Sequence, residues 1–133
     1  MDTPSRVTIM PMLSLLMFNV VKGAPHTSIV PWACNSGSYS SGDPYLNSVA
    51  YVLEDMATVT LNDADYNYYT ASPYPAATAY GHAVCSQALS YKDCGICMSS
   101  VKSQILAICP DGLGAQVELE DCRMRYENYS FNG

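Results

Sequence analysis

Cys85-Ser-Gln-Ala-Leu-Ser-Tyr-Lys-Asp-Cys94-Gly-Ile-Cys97 is the stretch on which the reading of this chain turns. Eight residues separate its first two cysteines and two separate the last pair. Cys34, Cys109 and Cys122 lie on either side, so six sulfurs are spread over the middle and end of a 133-residue chain. Such a set can hold a metal, carry out redox chemistry or staple an exported domain, and the compartment decides among these.

The N-terminus speaks to the compartment. Residues 1–6 form a short head in which Arg6 is offset by Asp2. Residues 7–21 are apolar apart from Thr8, Pro11, Ser14 and Asn19. That run is shorter than the roughly 20 apolar residues a membrane span needs. Val21-Lys22-Gly23 then puts small or apolar residues at the two positions a signal peptidase reads. The pattern predicts a signal peptide over 1–23, cleaved after Gly23. A buried N-terminal helix is opposed by Pro11 and by the Pro/Gly-rich stretch that follows. The expected product is secreted, extracellular and soluble.

Residues 24–133 suffice for one domain. They carry four basic residues (Lys92, Lys102, Arg123, Arg125) against eleven acidic ones, a net charge of −7. So acidic a chain repels nucleic acid and anionic lipid and cannot act on microbes as a polycation. Glu118, Glu120 and Asp121 cluster, and read as a solvated strand edge and turn rather than a calcium site.

Six cysteines in a small exported chain predict three disulfides, with 15 pairings open to sequence alone. A zinc site would rest on Cys94-x-x-Cys97 with Cys109 and Cys122, but the second half lacks the paired spacing of a zinc ribbon. A thioredoxin-like Cys94-Gly-Ile-Cys97 would open a helix after a strand in a βαβ unit, and the upstream pattern is not parallel α/β. No metal and no cofactor is expected.

Along the chain, residues 25–32 read as an arm and 32–35 as a short strand; 36–42 (SGSYSSG) is a loop by composition. Asp43-Pro44 is a helix start: Asp43 caps free amides and Pro44 at the first helical position loses no hydrogen bond. Leu46, Val49, Ala50, Leu53 and Ala57 recur at helical spacing and predict an amphipathic helix over 44–57 with those residues facing the core. The tyrosine-rich segment that follows divides into strands at 66–71 and 78–85 around Pro73 and Pro75. Its tyrosines read chiefly as cover for a sheet, although an exposed tyrosine also stacks on a sugar ring. Gly81 allows close packing within the second strand. A second helix is predicted over 90–109, with Ser90 and Asp93 as a capping box and Cys94, Cys97, Met98, Val101, Ile105 and Ile108 on one face. Pro110-Asp-Gly112 stops it. Alternation over 116–120 and 122–127 predicts a hairpin. The order β, α, β, β, α, β, β gives an α+β sandwich with two helices on one face of an antiparallel sheet.

The Cys85-x8-Cys94-x2-Cys97 arrangement resembles the ginkbilobin-like cysteine-rich domain of plants, known from antifungal seed proteins and, usually in tandem, from cysteine-rich receptor-like kinases and plasmodesmata-located proteins. The resemblance also takes in Ala33-Cys34-Asn35, Thr78-Ala79-Tyr80-Gly81, Ile108-Cys109, Gly114-Ala115 followed by Val117, and Asp121-Cys122 with Tyr126-Glu127. It implies two helices packed on a five-stranded antiparallel sheet. It also implies the pairings Cys34–Cys109, Cys85–Cys94 and Cys97–Cys122, and an apoplastic location.

Ginkbilobin-like proteins bind mannose through an asparagine, an arginine and a glutamate. The matching positions here are Asn35, Gln116 and Glu127. Gln116 departs from the pattern: its amide donates and accepts, but it is shorter, uncharged and unable to make a bidentate charged contact. Arg123 and Arg125 share the strand side of Glu127 and are alternative sources of the cation. A purely structural reading stands beside this one, with Asn35 satisfying backbone groups near its disulfide and Glu127 paired with Arg125. Asn128-Tyr-Ser130 is an N-glycosylation sequon beside Glu127.

The resemblance thus implies a secreted defence protein that binds mannose or mannan-type glycans and inhibits fungal growth. The alternative is an apoplastic module of the same fold, without lectin activity, whose partner is a cell-wall or receptor protein. An enzyme is not expected. His26 sits in the arm, His82 reads as a surface or structural histidine, and no nucleophile elbow or HExxH is present.

Overall fold

The computed structural model describes residues 29–133. The predicted leader, its cleavage site and His26 lie outside them. The described chain runs β1 (Ile29–Cys34), α1 (Tyr45–Val59), β2 (Asn67–Ala71), β3 (Tyr80–Cys85), α2 (Tyr91–Ile108), β4 (Ala115–Leu119) and β5 (Cys122–Glu127). The strands form one antiparallel sheet in the order β1-β4-β5-β3-β2, and both helices pack on the same face of it. The α+β architecture, the element order and the five strands are those expected. β1 begins earlier than anticipated, within the predicted arm. It tolerates Pro31 because it is an edge strand whose register shifts between Ile29 and Trp32.

Capping follows the sequence. Asp43 Oδ1 accepts from the Tyr45 amide at 2.9 Å, with Pro44 already in helical conformation. Ser90 Oγ accepts from the Asp93 amide at 3.1 Å. After Val59 the chain tightens into a 3₁₀ turn over Thr60–Asn62.

The buried stripe of α1 is rotated from the predicted one. Tyr45, Ser48, Val49, Val52, Leu53 and Met56 face the core, while Leu46 and Ala50 are exposed. The physical reason lies in polar tips with private acceptors. The Tyr45 hydroxyl donates to the Leu113 carbonyl at 2.7 Å and its ring meets Tyr39 edge-on at 5.5 Å. The Ser48 hydroxyl donates to the Ala77 carbonyl. A satisfied hydroxyl costs little to bury, so both residues turn inward.

Between the layers lie Val52, Met56, Met98, Val101 and Ile105 from the helices and Ala83, Val117, Met124 and Tyr126 from the sheet. Each large aliphatic buried there contributes about 1.5–3 kcal/mol. Gly81 permits the close approach of α1 to β3: a Cβ there would stand 2.8 Å from Met56 Sδ.

The disulfides are Cys34–Cys109, Cys85–Cys94 and Cys97–Cys122, with Cα separations of 5.5, 5.8 and 6.1 Å. These are the pairings the resemblance implies. Cys94 and Cys97 go to different partners, which disposes of both the zinc-ribbon and the thioredoxin-like readings. Cys34–Cys109 spans 75 residues and ties β1 to the end of α2. A loop of that size is worth roughly 4–5 kcal/mol in the chain-entropy treatment.

Candidate functional site on the open face of the sheet

The helices cover one face of the sheet, and strand alternation sends the charged residues to the other. On β4 Ala115, Val117 and Leu119 are buried, and Gln116 and Glu118 are half-buried on the opposite side. On β5 Cys122, Met124 and Tyr126 point inward and Arg123, Arg125 and Glu127 outward.

The antiparallel register arranges these outward residues in rows across the strands. Ala33, Gln116, Arg125, His82 and Tyr69 occupy successive positions of one row. The adjoining row begins at Asn35, whose amide donates to the Gly114 carbonyl at 2.8 Å, and continues through Glu127, Tyr80 and Ala71. Gly114 is the seat between Asn35 and Glu127. A methyl group there would overlap the Glu127 carboxylate, so only glycine lets that side chain lie across β4.

Glu127 is 8% exposed. Its Oε2 accepts from Arg125 Nε at 2.9 Å, while its Oε1 takes no hydrogen bond among the described residues. Arg125 is gripped from three sides. Nη2 donates to the Tyr129 hydroxyl at 3.3 Å, and the guanidinium carbon sits 4.0 Å from the centre of the Phe131 ring. Burial alone would make this guanidinium easier to deprotonate; the hydrogen bond and charge of Glu127 outweigh it and raise the pKa. Asn35 is exposed, and its Oδ1 accepts from the Gly37 amide at 2.8 Å, which leaves its amide nitrogen to donate outward.

The three residues singled out in the sequence therefore share one face. Asn35 and Glu127 adjoin through Gly114, whereas Gln116 lies one row away, opposite Arg125. Both contacts of the structural reading are present as well, the Asn35 turn and the Arg125–Glu127 pair. Asn128 is exposed next to Glu127.

Two features go beyond what the sequence specified. His82 is the structural histidine of its two readings: it is 3% exposed, stacked on Tyr69 at 3.9 Å with 9° between the planes, and its Nε2 meets Asn67 Oδ1 at 2.6 Å. Burial first, and then the charges of Arg123 and Arg125, push its pKa down to about 4. The other feature is the chain beyond β5, which returns over the sheet face. Tyr129 and Phe131 fasten Arg125, and the Gly133 amide donates to the Tyr69 hydroxyl at 2.9 Å. The clustering of Tyr129, Ser130, Phe131 and Asn132 after the last strand was the available signal. Among the described residues no group of three or more His, Cys, Asp or Glu is placed to hold a metal, and no helix is long and apolar enough to cross a membrane.

Two helices on one side of a five-stranded sheet, three bridges in this pairing and a glycine-seated glutamate on the open side define a small disulfide-stapled cysteine-rich domain. The salt stress response/antifungal family model matches residues 33–129, and the chain belongs to that family, which includes the ginkbilobin-like proteins. It is 39% identical over 109 residues to antifungal protein ginkbilobin-like protein 1 of Picea sitchensis, covering 81% of this chain and 82% of that one. It is 36% identical over 113 residues to antifungal protein ginkbilobin-2 of Ginkgo biloba, covering 84% of each. The tandem DUF26 ectodomain of the Arabidopsis thaliana cysteine-rich receptor-like protein PDLP5 superposes with a TM-score of 0.72 at 26% identity, covering 79% of this chain. This chain spans 52% of that ectodomain.

Proposed function

We propose that this domain is an extracellular defence protein that binds mannose-type glycans through the open face of its sheet and acts against fungi. Relatives named as antifungal support the defence role, and disulfides of this kind persist outside the reducing cytosol. One observation carries the sugar reading. Asn35 adjoins Gly114, whose missing side chain lets the Glu127 carboxylate lie across that position, and Arg125 stands against the carboxylate from the same strand. A sugar hydroxyl both donates and accepts, so a carboxylate oxygen, an outward amide and a guanidinium together fix a pair of hydroxyls. In this reading Arg125 supplies the cation that Gln116 lacks, and Gln116 lines the next row as a neutral donor and acceptor. An N-glycan at Asn128 would stand beside this site, and removing it enzymatically should strengthen mannose binding.

Mannose titration of the oxidised protein, followed by calorimetry and amide NMR, is the test. Saturable shifts should centre on Asn35, Gly114 and Glu127, and Glu127→Gln should weaken binding at least about tenfold, the loss of one charge-assisted hydrogen bond. An absence of mannose-dependent shifts removes the reading.

A protein-interaction role without lectin activity is the second reading. It is favoured by the uncharged Gln116 and by the likeness to one half of receptor-like ectodomains. Capture of a cell-wall partner that free mannose does not release would support it.

A further inference from the structure

The row that begins at Asn35 does not end at Glu127. It continues over β3 and β2 through Tyr80 and Ala71 to the edge of the sheet. There the returning chain stands off from the strands and leaves a cleft of about 430 Å³, with Tyr69, Tyr80 and Phe131 among its walls and Ser130 and Asn132 at its rim. We propose that this cleft is an additional sugar subsite, and that the open face binds a short chain of hexopyranoses rather than a single mannose. The inference rests on the mannose reading of Asn35 and Glu127 and extends it to an oligosaccharide.

Three observations carry it. The first is charge. No residue lining the cleft is ionisable near neutral pH, although Glu118, Arg123, Arg125 and Glu127 crowd the rest of this face. A neutral ligand suits it, and a peptide anion or phosphate does not. The second is chemistry. Aromatic faces accept the C–H side of a pyranose, and the hydroxyls and amide at the rim match its donors and acceptors. The groove between α1 and α2 contrasts with it, being walled mainly by Leu46, Val49, Ala50, Leu53 and Leu106 with the Glu54–Lys102 ion pair beside them. The third is preparation. Tyr69 is stacked on His82 and Phe131 is covered on one side by Arg125, so both rings are held before any ligand arrives. Groups fixed in advance lose little entropy on binding.

Geometry supplies the link between subsites. Asn35 and Ala71 lie at opposite ends of a row crossing five strands, about 19 Å at the usual strand spacing. That length exceeds one sugar ring and fits several in a chain lying across the strands.

The test compares mannose with an α-linked mannotriose by calorimetry on the oxidised full chain. The wild-type protein should bind the trisaccharide about tenfold more tightly than the monosaccharide, the gain expected of one stacked ring with its hydrogen bonds. Tyr80→Leu should bring that ratio to within about twofold, whereas Glu127→Gln should weaken both ligands and keep the ratio. The exposed Asn132→Ala is a second variant that leaves the strands intact, and it should lower the affinity for mannotriose alone by about two- to threefold. Equal affinities for the two sugars in the wild type, or parallel losses for both in Tyr80→Leu and Asn132→Ala, overturn the subsite and leave the Glu127 site standing. Binding of neither sugar removes the mannose reading and the subsite with it.

Discussion

Successive side chains of β5 pass alternately into two environments. Cys122, Met124 and Tyr126 enter the layer beneath the helices, where a disulfide, a methionine and a tyrosine hydroxyl bonded to the Gly112 carbonyl at 2.7 Å are sealed from water. Arg123, Arg125 and Glu127 enter a face that no helix covers. Yet Glu127 and His82 on that face are nearly as inaccessible as the core. The inner face is buried by apolar area. The outer face is buried in places by polar and aromatic groups closing over one another: His82 under Tyr69, and Arg125 between Glu127, Tyr129 and Phe131. Burial of the first kind stabilises and says little about function. Burial of the second kind holds charged groups in fixed positions at a surface, as a binding site requires.

The largest break in this contrast comes from releasing the helix layer. Cys34→Ala with Cys109→Ala should cost roughly 4–5 kcal/mol, because the 75-residue loop is no longer closed in the unfolded chain. Urea unfolding of the oxidised wild type against the double variant would measure it. A loss below about 2 kcal/mol would mean that the unfolded chain is restrained by the other bridges.

Neighbours on one strand give a sharper comparison. Met124→Ala should cost roughly 3–4 kcal/mol, since Met124 is fully buried against the helices. Arg123→Ala, one residue away on the other face, should cost under about 1 kcal/mol. Similar losses at the two positions would mean that the outer face is packed as a second core.

Acid should separate the faces as well. The His82 pKa is lowered from 6.5 to about 4, so between these values the unfolded chain takes up a proton that the folded chain refuses. The stability due to a neutral His82 is complete above pH 6.5 and falls as pH drops toward 4. The loss across that window is on the order of 3 kcal/mol. His82→Gln should unfold with a flatter pH dependence over the same range, and an unchanged slope would place the acid sensitivity elsewhere.

The contrast also explains what the sequence made legible. Alternation on β4 and β5 announces which side faces the helices, because one face is uniformly apolar and a single-residue slip would invert it. Both helices are announced by their caps and their periodicity. The rotation of α1 was legible in part, since Val49, Val52, Leu53 and Met56 recur at helical spacing. Tyr45 and Ser48 were hidden, because a hydropathy pattern counts them as polar and is blind to the Leu113 and Ala77 carbonyls that satisfy them. The outer site was half visible. Asn35, Gln116 and Glu127 could be placed by resemblance, but the grip on Arg125 depends on chain that returns after the last strand, and the cluster at 129–132 does not say which part of the sheet it returns over.

The smallest effect tests the inner face on its own terms. Apolar burial tolerates a polar atom only when that atom finds a partner, and Thr60 Oγ1 is the one fully buried side-chain oxygen or nitrogen among the described residues that has none. Thr60 opens the 3₁₀ turn after α1, and its backbone carbonyl already accepts from the Asp63 amide at 3.1 Å. The hydroxyl therefore has no part in the turn. Valine keeps the branched shape and removes the stranded dipole, so Thr60→Val should stabilise the fold by about 1 kcal/mol. Thermal unfolding at constant pH would register this as a rise in Tm of several degrees for a domain of this size. A fall in Tm would mean that the hydroxyl is held by a buried water, and the inner face would then share the polar closure that sets the outer one apart.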